Sequence, residues 1–508
     1  MPDGLGWSGA VLALLLVLAI ILIAIVVRRG RSRRGSGRPQ EEQASRTAPP
    51  PARKLGRTEA GGRTAPPPGA PYDSLPSSAQ RERDVQGKAA PPKPAEAPAP
   101  APAPRAQPAP AAPESTRTPT PPPAAPMPLP TGSAPAQPKS VVGEDKGDYV
   151  AVTVHYGTDR KDLGPQPDNP AARYNHERAD ISGGKSPMSY GTCVVSIPRS
   201  HEVGGLEDRT WWQWATLQRR EPGKHVLVLD VTSTTPTVFF QTLSAAVQRS
   251  SKRDAFVFVH GFNVSFADAA RRTAQMAYDL KFEGAPIFFS WPTPELSVGL
   301  LASYTTSESN VDLSKHRFRE LLKDVLERTG AETVHIIAHS MGNRIVTEAL
   351  QMLDTVQTQD LRARIGEVIL TAPDIDASVF ITEIAPRITR LAPRVTLYAS
   401  SKDKVLEMSQ NVHTFPRIGE FQSLITVPRG IEVVDASAVY DKDSMGHSYY
   451  GDSEPVIGDM CLLLNLGLRA AQRTLTLTSA RTPAGDPCWR ILQRPMEQIY
   501  AAIATRIS

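Results

Sequence analysis

The chain has 508 residues, and its formal net charge of +5 is unevenly distributed. Residues 1–145 carry 18 Lys and Arg against 11 Asp and Glu, whereas the remaining residues carry 39 against 41. An enzyme of nucleic acids would be expected to concentrate positive charge on its folded domain, so this distribution argues against a nucleic-acid partner. The three cysteines form no C-x-x-C pair. This argues against a thiolate metal site and makes a disulfide framework unnecessary.

An apolar segment near the start predicts a membrane anchor over residues 1–29. Residues 10–27 read AVLALLLVLAIILIAIVV, which with the apolar residues in front approaches the ~20 residues that span a bilayer. A cleaved signal peptide is disfavoured, because the preceding residues contain no Lys or Arg and no small-x-small site follows. The arginine-rich sequence RRGRSRR follows the span. By the positive-inside rule we expect the rest of the chain to be cytoplasmic, with a periplasmic location as the alternative.

Residues 30–147 predict a disordered, basic, Pro/Ala-rich linker. Of the 48 prolines, 28 lie between Pro39 and Pro138. Such a composition cannot bury enough apolar surface to offset the entropy of ordering the chain. It favours an extended, semi-rigid spacer, and docking of a protein partner through PxxP sequences is the alternative. Residues 148–508 are long enough to form one large domain with a deep core.

Residues 148–508 alternate β-rich runs with helical patterns. The candidate strands are Val150–Tyr156, Gly191–Ile197, Val226–Asp230, Ala255–His260, Pro286–Ser290, Thr333–Ala338, Glu367–Thr371, Arg394–Ala399 and Glu432–Asp435. The candidate helices are Pro236–Arg249, Phe266–Phe282, Ser314–Thr329, Met341–Leu353, Val379–Leu391 and Lys404–Gln410. This alternation predicts an α/β fold with a mostly parallel central sheet and helices on both faces.

The sequence AHSMGN, residues 338–343, predicts a nucleophilic serine at Ser340. It follows an apolar strand and precedes an amphipathic helix, which is the setting of a nucleophile elbow. Small residues flank the serine two positions away on each side, as the crowded turn requires, although Ala338 replaces the usual first glycine. A helix N-cap would explain Ser340 alone, but not the small-His-Ser-x-Gly frame.

The sequence VFVHGFN, residues 257–263, predicts the loop that stabilises the oxyanion. It ends a second buried strand upstream of the elbow, where hydrolases with this elbow supply one backbone N–H, the other coming from the residue after the nucleophile. By position these are Phe262 and Met341. Gly261 lets the backbone approach the substrate closely. We interpret His260 as a structural residue that orients the loop.

The general base is expected late in the chain, because this fold places the acid and then the histidine after the serine. Only His413 and His447 follow the elbow. His447 lies in the sequence SMGHSYY, after the last candidate strand, where a loop reaches the carboxyl edge of the sheet. His413 lies just beyond a candidate helix and follows no strand. We therefore favour His447 as the base.

Asp403 is the favoured acid, because it follows the end of the candidate strand Arg394–Ala399. An aspartate there can fix the tautomer of the histidine and stabilise the imidazolium. Asp374 and Asp376, after the preceding strand, are the alternatives, and helix capping would also explain them.

Together, the sequences HGFN, AHSMGN, SSKDKVL and MGHSYY resemble the α/β-hydrolase superfamily, in particular a bacterial esterase/lipase-like branch of poorly characterised function. The resemblance covers about residues 150–450. The sequences YGTDR (156–160) and SIPRSHEVG (196–204) also look like that branch, and we expect them to shape strands and loops at the entrance. The resemblance implies hydrolysis of a small-molecule or lipid carboxylic ester through a Ser-His-Asp triad, with no metal and no organic cofactor.

Two alternatives to a membrane-anchored esterase stay open. One is a membrane-tethered interaction protein whose hydrolase fold has minimal chemistry, and the other is an acyltransferase. Two further features have no assigned role. Residues 295–304 are apolar and would line an acyl pocket, act as a lid or pack against the next helix, and Trp211, Trp212 and Trp214 would contact lipid or substrate, or be buried.

Overall fold

The computed structural model describes residues 142–507, apart from residues 181, 183–185, 208–219, 295–299, 355–358, 393, 424–425 and 440–446. The predicted anchor, nearly all of the predicted linker and the three clustered tryptophans lie outside the described residues. Among the residues that are described, no helix is both long and apolar enough to cross a membrane. They all fall within one compact unit, residues 123–508.

Six strands come first in the chain, strands and helices then alternate for the most part up to residue 435, and two helices, a strand pair and a final helix follow. The strands are β1 Glu144–Asp145, β2 Tyr149–Thr158, β3 Arg160–Asp162, β4 Tyr174–Arg178, β5 Ser189–Pro198, β6 Leu227–Thr234, β7 Asp254–Val259, β8 Ala285–Ser290, β9 Thr333–His339, β10 Ile365–Thr371, β11 Arg394–Ala399, β12 Ile431–Asp435, β13 Leu477–Arg481 and β14 Pro487–Ile491. The α-helices are α1 Pro236–Arg249, α2 Phe266–Asp279, α3 Leu300–Arg328, α4 Gly342–Leu353, α5 Gln359–Arg362, α6 Ala377–Val379, α7 Ala385–Leu391, α8 Lys404–His413, α9 Tyr449–Asp452, α10 Glu454–Leu466 and α11 Met496–Ile507, with a π-helical turn at Phe380–Ile384.

The described strands form one large sheet and a separate β3–β4 pair. The order in the large sheet is β13-β14-β12-β11-β10-β9-β7-β8-β2-β5-β6, with β1 paired to β2. Its centre, from β2 to β14, is parallel, and antiparallel strands lie at both edges. The predicted mostly parallel sheet with flanking helices is confirmed. The carboxyl ends of the parallel strands meet at one edge, where ligands bind in open α/β sheets.

The sheet separates two apolar cores, and β7 shows how one strand serves both. Val257 and Val259 point into the core that includes side chains of α1, α3 and α4. Phe256 and Phe258 point into the core that includes side chains of α2, α10 and α11. All six residues of β7 are buried. A parallel strand covered on both faces reads as a continuous apolar run, which is why the sequence located this strand closely.

Helix α3 begins at Leu300, well before the predicted start at Ser314. Its early part buries small polar residues in addition to Tyr304 and Val311. Ser303, Ser307, Asn310 and Ser314 recur at helical spacing, and each is at most 4% exposed. A search for apolar periodicity does not detect such a face. Residues 300–304, the end of the apolar segment 295–304, are therefore the start of α3.

The C-terminal part contains elements that the sequence analysis did not predict. Helix α10 is buried from Val456 to Leu464 without interruption, so it has no polar face and no amphipathic pattern. The β13–β14 hairpin extends the sheet beyond β12. The loop with His447 therefore follows β12 as expected, but β12 is not the last strand.

Candidate active site

Ser340 lies in a strained turn between β9 and α4. Its φ of +52° is in the left-handed region, which costs a non-glycine residue roughly 1–2 kcal/mol. Hydrogen bonds hold the turn: Ser340 N donates to Thr371 O at 3.0 Å, and Asp374 N donates to Ser340 O at 3.3 Å. Asn343 Nδ2 donates to both Ser340 O at 2.8 Å and Thr371 O at 3.0 Å. The amide of Asn343 therefore fastens the turn to the neighbouring strand β10.

The two small residues around Ser340 have different amounts of room. A Cβ on Gly342 would lie 2.4 Å from His260 O and 2.7 Å from Val259 O, so the helix start touches the end of β7. Ala338 is fully buried, and its methyl group is part of the core. The position two residues after the serine therefore requires glycine, whereas the position two residues before it accommodates alanine.

The predicted oxyanion loop passes directly beside Ser340. A Cβ on Gly261 would lie 2.8 Å from Ser340 Cβ and 2.9 Å from His339 Nδ1. Such approaches leave no space for a side chain. Phe262 follows immediately, and its ring lies 5.7 Å from that of Tyr304 on α3. Met341, which bears the other predicted donor, is fully buried next to the serine.

His447 and Asp403 form a buried pair. His447 Nδ1 lies 2.9 Å from Asp403 Oδ1 and 2.7 Å from Oδ2. Asp403 is 3% exposed and also caps helix α8, since Oδ1 accepts from Leu406 N at 3.0 Å. Because an ionised carboxylate can only accept hydrogen bonds, the proton of a neutral His447 lies on Nδ1, which donates to Asp403. Nε2 is then left as the basic nitrogen.

His339 connects the elbow to the histidine loop. Its Nε2 donates to the backbone oxygen of His447 at 3.1 Å, and the two rings are 4.6 Å apart. Its other face stacks on Tyr450, with centroids 4.0 Å apart. Burial, and then the charge of His447, hold the pKa of His339 well below its usual range. Sequence analysis assigned His339 no role. The one signal was its place immediately before the serine.

The rival acids and the rival histidine have other partners. Asp374 is buried and accepts from Tyr304 Oη and from Ser409 Oγ. It also pairs with two arginines, Arg344 at 3.4 Å and Arg417 at 3.2 Å.

Asp376 caps helix α6 through Val379 N at 3.0 Å. His413 lies at the end of α8, with Nε2 2.9 Å from Glu308 Oε1. The two rival acids and the rival histidine thus have other partners, whereas the carboxylate of Asp403 is the one that contacts the His447 ring.

The loop of His447 continues into α9, which a buried arginine holds. Arg272 of α2 donates to Gly451 O at 2.6 Å and to the carboxylate of Asp452. Its guanidinium also lies over the ring of Tyr450, 5.7 Å from the centroid. Gly204, in the SIPRSHEVG segment, is so close that a Cβ would lie 2.6 Å from Asp452 O. This segment therefore packs against the helix that follows the base.

No group of three His, Cys, Asp or Glu side chains in the described part of the chain is arranged to hold a metal ion. The three cysteines are buried, and none of them forms a disulfide. The groups assembled at this edge of the sheet are a serine hydroxyl, a histidine–aspartate pair and the backbone of a tight loop.

Residues 236–465 match the model of the family described as "Alpha/beta hydrolase of unknown function (DUF900)". No curated protein matches the sequence.

Three similar solved structures have low identity. Lipase B of Aspergillus fumigatus is 13% identical with a TM-score of 0.20, over 31% of this chain and 41% of that one. A CIB-like hydrolase of Thermoplasma acidophilum is 14% identical with a TM-score of 0.24, over 42% and 87%. The carboxylesterase CesB of Bacillus subtilis is 12% identical with a TM-score of 0.22, over 42% and 85%. This chain thus spans less than half the length of the first and most of the other two.

The family match covers α1 to α10 almost completely and includes Ser340, Asp403, His447 and the loop at Phe262. It ends before β13 and begins after β6. The resemblance to the α/β hydrolases seen in the sequence is confirmed by this match to residues 236–465.

Proposed function

We propose that this domain is a serine hydrolase that cleaves carboxylic esters. The observation that carries the proposal is the buried pair of His447 and Asp403, at 2.7 Å, held against the residue before a strained Ser340. A serine at such a strand-to-helix turn places its hydroxyl at the carboxyl edge of the sheet, and Ser340 there is 3% exposed. The close approach of Gly261 to Ser340 Cβ supports the oxyanion loop.

Acylation begins when Nε2 of His447 takes the proton of the Ser340 hydroxyl and Oγ bonds to the ester carbonyl carbon. The carbonyl oxygen becomes an oxyanion, which accepts hydrogen bonds from Phe262 N–H and Met341 N–H. Asp403 stabilises the imidazolium without becoming protonated. As the carbon–oxygen bond to the alcohol breaks, the imidazolium returns the proton to that oxygen. The alcohol leaves, and the acyl group stays on Oγ.

Deacylation repeats these steps with water. His447 takes a proton from the water, the hydroxide oxygen bonds to the acyl carbon, and the same two N–H groups stabilise the second oxyanion. Ser340 Oγ leaves and recovers its proton from His447. The products are a carboxylic acid and the regenerated serine. The proposed reaction steps use only the groups named above.

The nucleophile is tested with a fluorophosphonate probe, which phosphonylates an activated serine. We expect the probe to label the full chain and to fail on Ser340→Ala. Ser307→Ala is the matched control, because Ser307 is also fully buried but donates only along its own helix, to Ser303 O at 2.9 Å. It should be labelled like the wild type. Equal labelling of Ser340→Ala and the wild type would remove Ser340 from the mechanism.

The ester specificity is tested with p-nitrophenyl esters of increasing acyl length. We expect turnover that disappears in Ser340→Ala. Labelling without turnover of any ester would retain the activated serine and overturn the ester assignment. Adding an alcohol acceptor distinguishes hydrolysis from acyl transfer, since a transferase would yield the new ester in preference to the acid.

A further inference from the structure

Arg160, the last residue of the YGTDR segment, is completely buried beside the oxyanion loop. Its Nε donates to Ser290 Oγ at 2.8 Å, and its Nη1 donates to Asn175 O at 3.3 Å. Its Nη2 donates to Val264 O at 2.7 Å and lies 3.3 Å from His260 Nε2. Burying a cation is costly unless its hydrogen bonds are satisfied. These acceptors are a hydroxyl, two carbonyls and an imidazole, and two of them belong to the loop 260–264.

The ring of His260 is held in one tautomer. Its Nε2 receives Trp291 N–H at 3.1 Å in addition to the Arg160 guanidinium. A ring nitrogen that faces donors accepts, so the proton of neutral His260 is on Nδ1. Burial, followed by the charge of Arg160, holds the pKa of His260 well below its usual range. The ring stacks on Trp291 at an interplanar angle of 7°.

The Nδ1 proton of His260 acts on the peptide group that carries the oxyanion donor. Nδ1 donates to Gly261 O at 2.8 Å. That oxygen and the N–H of Phe262 belong to the same planar peptide unit, so fixing one end fixes the direction of the other. Gly261 has no side chain to restrict its backbone. The hydrogen bond from His260 therefore takes over the restriction that a side chain would impose.

We propose that Arg160 is a positioning residue for the oxyanion hole, which clamps the loop 260–264 at both ends, through the ring of His260 and the carbonyl of Val264. This inference rests on the proposed serine chemistry and adds a role to the YGTDR segment. Arg160 contacts no reacting atom. It acts by keeping the Phe262 N–H directed at the place where the oxyanion forms.

The test uses Arg160→Gln and Arg160→Lys in the full chain with a short-chain p-nitrophenyl ester. A misdirected donor weakens the transition state more than the bound ester, so we expect kcat to fall about tenfold to a hundredfold in Arg160→Gln. KM should stay within about twofold, because ground-state binding is retained. Lysine keeps the charge and part of the donation, so Arg160→Lys should recover part of kcat.

Arg473→Gln is the matched control. Arg473 is also completely buried, but it pairs with Asp459 at 2.9 Å and with Glu432 near the β12 edge. It should lower the melting temperature while keeping kcat of the folded protein within about twofold. Amide hydrogen exchange adds a readout that needs no activity. Exchange should rise in residues 260–264 for Arg160→Gln and not for Arg473→Gln.

A folded Arg160→Gln with wild-type kcat and wild-type exchange in residues 260–264 would overturn the inference. If this variant does not fold, His260→Asn and His260→Gln replace it. Asparagine places an amide donor near the position of Nδ1 and glutamine does not, so His260→Asn should be the more active, and equal activities would contradict the inference. Failure of the proposed function looks different: Ser340→Ala would then keep wild-type turnover, and the exchange comparison would still decide whether Arg160 holds the loop.

Discussion

At the scale of single residues, the close approach of Gly261 to Ser340 sets the geometry of the proposed oxyanion hole. A methyl group on residue 261 would meet Ser340 Cβ at 2.8 Å and His339 O at 3.2 Å. Neither neighbour is the free end of a flexible side chain. The backbone of the loop or of the elbow must therefore shift to accommodate any other residue.

We predict that Gly261→Ala lowers kcat by more than about tenfold, because a displacement of a few tenths of an ångström misdirects the Phe262 N–H. Steady-state kinetics on a p-nitrophenyl ester, normalised to active sites by fluorophosphonate titration, measure the effect. Circular dichroism and the melting temperature show whether the variant is folded. A folded variant with wild-type kcat would mean that the loop does not stabilise the transition state.

Asp403 is proposed to set the tautomer of His447, and asparagine tests this at nearly constant volume. An amide nitrogen facing Nδ1 would favour the wrong tautomer, so we predict that Asp403→Asn lowers kcat by roughly 10³–10⁴-fold. The control is Asp435→Asn at the end of the neighbouring strand, where the buried carboxylate pairs with Arg490 at 2.9 Å. A loss of kcat shared equally by both variants would indicate general damage to the sheet edge.

At the scale of elements, the sequence located those parts whose signals are local. Strand β11 has the predicted bounds, β7 is shifted by one residue at each end, and β9 is one residue longer at its C-terminal end. The agreement is close because buried parallel strands are continuous apolar runs. The elbow was also visible, since its pattern of small residues around the serine lies within a few consecutive residues. The start of α3 was missed because Ser303 and Ser307 form its buried face.

The contacts of Arg160 and His339 were beyond sequence analysis for another reason. Arg160 meets His260 across 100 positions and Ser290 across 130. His339 meets His447 across 108 positions. No periodicity or local propensity encodes such pairings, which arise only when the sheet brings strand ends together. Both segments that the resemblance left without a catalytic role, YGTDR and SIPRSHEVG, contact loops of the candidate site.

The SIPRSHEVG segment holds α2 through a charged histidine. His201 Nδ1 lies 2.9 Å from Glu207 Oε2, and Nε2 lies 2.9 Å from Asp279 Oδ1. Burial alone would lower the pKa of His201, but the hydrogen bonds to Asp279 and Glu207 outweigh it and raise the pKa to about 9. The folded state therefore binds this proton more tightly than the unfolded state, whose value is 6.5.

The raised pKa of His201 makes the folded state less stable at high pH. A folded pKa above the unfolded one stabilises the fold fully below pH 6.5, and this contribution is lost as the pH rises through about 9. We predict that the free energy of unfolding in urea falls between pH 7 and pH 10, and that His201→Gln flattens this fall. The control is His225→Gln, at a buried histidine that is 4% exposed. It should keep the wild-type slope, and a wild-type slope in His201→Gln would contradict the assignment.

At the scale of the whole molecule, the positive charge of the chain is concentrated near its start. The surplus of Lys and Arg lies before residue 146, next to the apolar segment 10–27, whereas the remaining residues are nearly neutral. A basic arm is attracted to anionic headgroups within about a Debye length. We propose that the segment anchors the chain and that the Pro/Ala-rich linker, at about 3.1 Å per extended residue, lets the hydrolase domain reach away from the surface.

The arginines that follow the proposed anchor predict its orientation. We predict that a reporter fused after Asp145 is cytoplasmic in a bacterial host: alkaline phosphatase should be inactive there and a fluorescent protein bright. Moving the sequence RRGRSRR from residues 28–34 to the front of the span should reverse both signals, because the positive flank determines the side. A variant without residues 1–29 is the control, and it should leave the membrane fraction. Active phosphatase on the unaltered chain would place the domain in the periplasm, and recovery of the truncated chain with the membrane would show that another part binds it.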